Sequence, residues 1–429
     1  MTFLMQSLNH QSQNISLDDW ITLLTLCLAP LLAHIFSGAP EPSYVCSTRP
    51  KWHDRICFYN PTTIIWRYMA VVDRRIRARV WTPLDMAASN ALFWTTKGWD
   101  GSEQMIVDAS IYCTYLPEHP RLQIISTEAL KTTITTLQGL QFMYRYIPGT
   151  PGYLGDRYFA VDSIFTPLAC FGLIRLLAAA WLTGSFAYTP RPIARVDLDL
   201  SQLMSLGKRC SFDSLQENHY GVDDLKPRYY ELSCRRSRSI RVLNIVLLTS
   251  CWFTNVVCFI LIPTFSANPH IYTVTDFLTS VFYFIMSTMT FAVCTFYLSR
   301  GHTMTIIPCI SRPWYKAYTI GLAVMLLVLV IVACIETRKV VCGKFTSVSA
   351  FYANADPCLA EASTIIQLDA NSNTLSAFGI TLKTGKEGSA TLLDEGFWYV
   401  NFSGTCLGKA TNPADVRESI QELANIPST

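Results

Sequence analysis

Charge is scarce in this chain. Only 15% of its 429 residues are Asp, Glu, Lys or Arg, where a soluble domain carries about 25%. Half of the residues are hydrophobic and the mean hydropathy is positive. That balance excludes an ordinary soluble domain and belongs to a membrane protein. A formal net charge of +3 is too small to argue for a polyanionic partner, so nucleic acid is not expected. Metal patterns are missing as well. The fifteen cysteines include no CxxC pair and the seven histidines no HxH or HxxxH spacing, so neither a metal nor a cofactor is expected. Also absent are a Walker loop, a GxSxG nucleophile elbow, paired aspartate-rich diphosphate motifs and an internal repeat of the transporter kind.

What the chain does contain is long apolar runs. Five are close to the roughly 20 helical residues that a hydrocarbon core requires: 20–36, 159–188, 242–265, 273–298 and 314–335. The first lacks a basic n-region and a small-residue cleavage site, so it reads as a retained anchor and not as a signal peptide. The expected fold is an α-helical integral membrane protein with about five transmembrane helices, interfacial helices, and a small β-rich C-terminal extramembrane module. In order, the expected parts are an amino-terminal segment 1–19, the first span, a long loop 37–158, the second span, a basic cytosolic loop 189–241, three further spans, and a lumenal or extracellular tail 336–429.

The long loop carries helix-start signals. Asn60-Pro61 opens one helix, and Thr82-Pro83-Leu84-Asp85 forms a capping-box pattern before Met86. Met105, Ala109, Cys113 and Leu116 recur at helical spacing, as do Leu130, Ile134, Leu137 and Tyr144; these predict surface-lying or packed helices, not spans. In the tail, short strands with Gly-rich turns are expected between Ser363 and Ser403. Asn412-Pro413 then opens an amphipathic helix with Val416, Ile420 and Leu423 on one face.

Basic residues favour the cytosolic side. The "CRRSRSIR" run before the third span, the uncharged-to-acidic "SANPHIYTVTD" after it, and Arg300 and Arg312 beyond place the last three spans out, in, out. The tail then faces the lumen or exterior, in an endoplasmic-reticulum or plasma membrane. The Asn401-Phe402-Ser403 sequon and the cysteines Cys342, Cys358 and Cys406 fit that side, while Arg338, Lys339 and Lys344 run against it. In the first half, the basic long loop and the basic 189–241 loop both read as cytosolic, which one crossing by 159–188 cannot satisfy. Three solutions stay open: that segment dips in and returns, another segment crosses within the long loop, or the long loop is translocated.

Few residues suggest chemistry. On a helix from Asn60, the residues Ile65, Met69, Val72, Ile76 and Val80 share a face opposite Arg67, Arg74 and Arg77. That geometry suits a helix at a membrane surface with its arginines toward anionic lipid head groups. The bland alternative is packing on the protein's own spans. Arg175 is the one charge deep in a span, where an ionisable group usually meets a partner or a wet cavity. Asp162 is too far to be that partner, at about 20 Å along a helix. Asp276, Ser280, Tyr283, Ser287, Thr290 and Cys294 form one stripe, and Asn244, Cys251, Asn255 and Cys258 another. Such stripes either join helices or line a pocket for an amphiphilic ligand, for which Asn255, Asp276, Ser280, Tyr283 and Ser287 are the candidates. His219, Asp223 and Asp224, with His53-Asp54, are the remaining acid–base candidates.

At "DDWITLLTLCLAPLLAHIFSG", "RPKWHDRICFYNPTTIIWRYMAVVDRRIRARVW" and "DMAASNALFW" followed by "GWDGSE", the chain resembles multi-pass membrane proteins of filamentous fungi. The resemblance covers chiefly the first 160 residues. Some proteins of this sort are encoded within natural-product gene clusters, which implies binding of a hydrophobic polyketide- or terpenoid-type intermediate, assistance in its cyclisation, and biosynthetic enzymes as partners. The alternatives are a non-catalytic receptor or scaffold with a glycosylated tail, and a channel or transporter. The resemblance carries no functional residues over.

Overall fold

A computed structural model describes residues 4–5, 7–145, 159–191, 228–257, 271–339 and 345–349, together with the strands Phe378–Thr381, Phe397–Asn401 and Cys406–Ala410. The described chain is mostly helical. Seven helices organise it: α1 (Leu17–Gly38), α2 (Pro61–Arg77), α3 (Pro83–Asn90), α4 (Thr127–Arg145), α5 (Arg235–Val256), α6 (Val274–Ser299) and α7 (Pro313–Glu336).

Four of these, α1, α5, α6 and α7, are long and apolar enough to cross a membrane. Local chemistry fixes where they start. Ser16 accepts the Asp19 N–H at the head of α1, with Asp18 and Asp19 in its first turn, a favourable placement of acid at a positive helix end. Thr273 and Asp276 form a reciprocal capping box on α6, and Pro313 sits in the first turn of α7, where its missing N–H costs nothing.

The helices alternate in direction. Gln11, just before α1, donates its N–H to Ile335 O at the end of α7, and Lys339 reaches Asp19 at 3.0 Å. The Val274 and Thr275 N–H groups donate to the Glu336 carboxylate. The start of α1, the start of α6 and the end of α7 therefore share one end of the bundle, here termed the upper end. The end of α1, the start of α5, the end of α6 and the start of α7 form the lower end.

Across the lower end lies α2, begun as the sequence predicts by an Asn60 cap on Thr62 N–H and Pro61 in the first position. Its two faces are both covered: Ile64, Ile65, Trp66, Tyr68, Met69 and Val72 are all buried. Asn60 and Thr63 bond to Thr319 and Tyr315 of α7, Thr62 to Thr290 of α6, and Trp66 Nε1 to Met304 O. It is a crossbar tying the span ends together. Beside it, α3 carries the expected Thr82/Asp85 capping box. A small sheet joins Pro42–Tyr44 in parallel to Leu92–Thr95 and that strand antiparallel to Gly98–Asp100. Gly98 closes the turn at φ +105°, which L side chains rarely adopt.

Two expected elements take other forms. The run 159–188 is no continuous span: it contains short helices Leu168–Gly172 and Arg175–Ala178, a tight turn Ala179–Trp181 and a strand Ala187–Tyr188. Its backbone bonds run to i−3, as from Leu168 to Phe165 and from Ile174 to Phe171, and Pro167 lacks the N–H to continue a regular ladder. The helical reading of Met105 to Leu116 also fails after one turn, Met105–Asp108, because Cys113–Tyr115 pairs as a strand with Ala187–Tyr188. By contrast, Leu130 to Tyr144 lie on one helix, α4. In the tail, the three strands named above pair antiparallel in chain order. The Asn412 helix with Val416, Ile420 and Leu423 lies outside the described residues.

Candidate functional site

The densest polar chemistry is at the lower end, where arginines from α2, α5 and the 159–191 segment are buried together. Three of them were expected on a membrane surface, and the structure corrects this: Arg67, Arg74 and Arg77 are 5%, 1% and 2% exposed. The reason is the C-terminal ends of helices and loop carbonyls, which leave acceptors without intrahelical donors. Arg67 donates to Gly38 O at the end of α1 and to Asn90 O and Oδ1 at the end of α3. Arg74 donates to Gly101 O and to Thr303 O. Cations at these negative helix ends are favourable. The second helical face was thus read correctly as basic, but it faces protein.

Asp73 is the central carboxylate. It accepts from Arg77 Nε at 3.0 Å, from Arg241 Nε at 3.0 Å and Nη2 at 2.8 Å, and from Ser237 Oγ at 2.7 Å. Arg77 also pairs with Glu103, and Arg241 reaches Leu298 O at the end of α6. Burial by itself would push the Asp73 carboxyl up, but the Arg241 bond and charge, Ser237 and Arg77 outweigh it and hold the group below its ordinary 3.8. Burial pulls the Arg67 guanidinium down to about 10, still charged at neutral pH. For Arg77, desolvation is outweighed by Glu103 and Asp73, and its pKa rises. A smaller knot joins Arg228 and Tyr229 to Asp85 of α3, with Arg228 Nη2 at 2.7 Å.

Arg175 has the partner that the sequence did not reveal. It is fully buried and bonds Glu128 Oε2 at 2.7 Å, Thr132 Oγ1 at 2.8 Å and the Tyr68 hydroxyl at 3.1 Å, and also donates to Ser37 O. Glu128 is shared with Lys131 at 2.7 Å. Glu128 lies 47 positions away in sequence, so no local spacing could have shown it. His34 is buried nearby with Nε2 unpartnered.

The pocket candidates are placed on α5 and α6, and every one bonds to backbone. Asn255 Nδ2 donates to Cys251 O, Ser280 to Asp276 O, and Ser287 to Phe284 O. Tyr283 donates to Ile164 O at 2.8 Å. Asp276 accepts the Phe159 N–H at 2.8 Å as well as Thr273 N–H. The first three bonds stay within their own helices, and those of Tyr283 and Asp276 join α6 to the 159–191 segment. A shallow recess of about 10 Å³ opens beside Glu128, lined by Arg121, Gln123, Ser126, Leu182 and Ser185 among others, far below the roughly 300 to 1,000 Å³ of ligand pockets.

His53 and Asp54 meet Lys316 of α7, Asp54 through an ion pair, which makes them a brace for the lower end. His219, Asp223 and Asp224 lie outside the described residues, as do Cys258, Cys342 and Cys358. Asn401 ends the strand Phe397–Asn401. No protein-family model, curated protein or solved structure matches the chain.

Proposed function

We propose that the chain is a non-catalytic integral membrane protein, a scaffold or receptor whose cross-braced helices hold a basic loop surface at one end and a glycosylated tail at the other. The observation that carries this reading is the commitment of Asn255, Asp276, Ser280, Tyr283 and Ser287 to backbone partners. A site that orients a hydrophobic intermediate needs a few polar groups free to converge on it. Of these five, Asn255, Ser280 and Ser287 bond to carbonyls three or four residues back in their own helices, and Tyr283 and Asp276 tie α6 to the 159–191 segment, as polar residues commonly do between membrane helices.

Metabolite profiling separates this from cyclisation of a polyketide- or terpenoid-type intermediate. In a producing host lacking the protein, the scaffold reading expects a chain carrying Asn255→Ala, Ser280→Ala and Ser287→Ala to behave as the unaltered chain does, and one lacking residues 345–429 to lose function while staying in the membrane. Accumulation of an uncyclised intermediate with the triple variant, at unchanged protein level, would overturn it.

A further inference from the structure

We infer that α4 is itself a membrane crossing whose outer face contacts lipid acyl chains, and that residues 159–181 make the return crossing, so that the chain crosses six times. Direction comes first. Glu128, in the first turn of α4, holds Arg175, which also bonds Ser37 O at the lower end of α1. Further along, Gly172 lies against Thr135, and Gly139 packs on Leu173 and Ala169 O. Pairs 128/175, 135/172 and 139/169 make α4 antiparallel to that segment, so α4 climbs away from the lower end.

The return segment has both ends placed. Phe159 N–H donates to Asp276 and Val161 N–H to Thr337 Oγ1, both at the upper end. Ile164 O accepts from Tyr283, two turns down α6. Leu122 N–H donates to Ala180 O and Asn90 Nδ2 to Trp181 O, back at the lower end. Irregular backbone at membrane depth is tolerated where protein buries it, and Ile164, Phe165, Leu168, Phe171 and Ala178 are buried.

Length and surface agree. The 19 residues of α4 span about 28 Å at 1.5 Å each, close to the roughly 30 Å of a hydrocarbon core. Its outward face is mostly apolar: Leu130 is 61% exposed, Leu137 61%, Leu140 55% and Tyr144 51%, with Thr133 and Gln141 among them. The helix packs against α1, whose own outer face exposes Leu24, Leu28, Leu32 and Phe36, so one apolar surface is continuous across two helices. Ile124 and Ile125, just before α4, are almost wholly exposed.

Hydropathy overlooks α4 because Glu128, Lys131, Gln138, Gln141 and Arg145 interrupt its apolar residues, with a smaller contribution from its threonines. Glu128 pairs with Lys131 and Arg175, and Thr132, Thr133, Thr135 and Thr136 each donate to the carbonyl four residues earlier, which satisfies the hydroxyl inside the helix and lowers its cost in lipid. The Arg175 charge is countered by Glu128. The crossing count also closes: α1 ends and α5 begins at the lower end, and two intervening crossings return the chain there.

The test uses the full chain in sealed membrane vesicles. A protease-cleavable epitope is inserted either between residues 145 and 159 or between Ser47 and Pro50. Opposite responses to added protease before detergent are expected; cleavage of both epitopes together, or protection of both, would overturn the crossing. In the untagged chain, a phospholipid with a photoreactive acyl terminus should label the peptide 127–145 as well as α7. Label on α7 with none on 127–145 would likewise overturn it.

Discussion

Arg175 shows what one buried charge demands. With Glu128, Thr132, Tyr68 and Ser37 O around it, the guanidinium is satisfied; without Glu128 it is an uncompensated cation. Removing one partner of a buried pair costs about 3–5 kcal/mol, whereas replacing both by apolar groups is often neutral. Glu128→Gln is therefore expected to lower the thermal midpoint in detergent sharply, and Glu128→Leu with Arg175→Met to recover much of the loss. An equal or greater loss in the double variant would count against the pair. Asp73 makes a pH prediction. Its folded pKa is lowered, so its stabilisation is full above the unfolded value near 3.8 and fades as the pH falls through the lower folded value. Thermal midpoints measured down through that range should fall for the unaltered chain and fall less for Asp73→Asn, which has already lost the stabilisation.

Among the elements, two glycines separate tight helix contact from open surface. A Cβ on Gly139 of α4 would stand 2.6 Å from Leu173 Cγ and 3.0 Å from Ala169 O, while one on Gly321 of α7 would meet nothing within 4 Å. Gly139→Ala is expected to cost about 1–3 kcal/mol through overpacking. Gly321→Ala should be neutral or stabilise by up to about 1 kcal/mol, from helix propensity. Paired unfolding measurements on the two variants check the order. The helix starts at Asn60-Pro61 and Thr82-Pro83 were legible because caps are local, and the spans α1, α5, α6 and α7 because twenty apolar residues are their own signal. The burial of Arg67, Arg74 and Arg77 was not legible. An amphipathic helix looks the same in sequence whether its basic face meets phosphate or the carbonyl ends of other helices. Nor was the break in 159–188, where Asp276 holds the Phe159 N–H and Glu128 the Arg175 side chain in a segment that hydropathy reads as a plain span.

At the scale of the whole molecule, four helices are long and apolar enough to cross a membrane, as in a membrane protein, and the exposed cations are unevenly shared. Arg79, Arg235, Arg236, Arg238, Arg300 and Arg312 are exposed at the lower end, whereas the upper end has Arg338 and Lys339, with Arg145 at the end of α4. Under the proposed reading, the positive-inside rule would set the lower end in the cytosol and the tail across the membrane, with the exposed arginines beside anionic head groups. Neutralising Arg235, Arg236 and Arg238 together should weaken retention of anionic phospholipid through purification without lowering thermal stability, since none of them is buried; the same change at Arg67 should do the reverse.

The most direct test of this cross-braced, two-sided architecture is protease protection of the native chain in sealed microsomes, read with antibodies against residues 192–227 and against the tail. The expected result is loss of the 192–227 epitope from the outside, with the tail protected until detergent is added and carrying a glycosidase-sensitive mass that Asn401→Gln removes. Simultaneous digestion of both epitopes from the cytosolic side, with no glycan on Asn401, would contradict it.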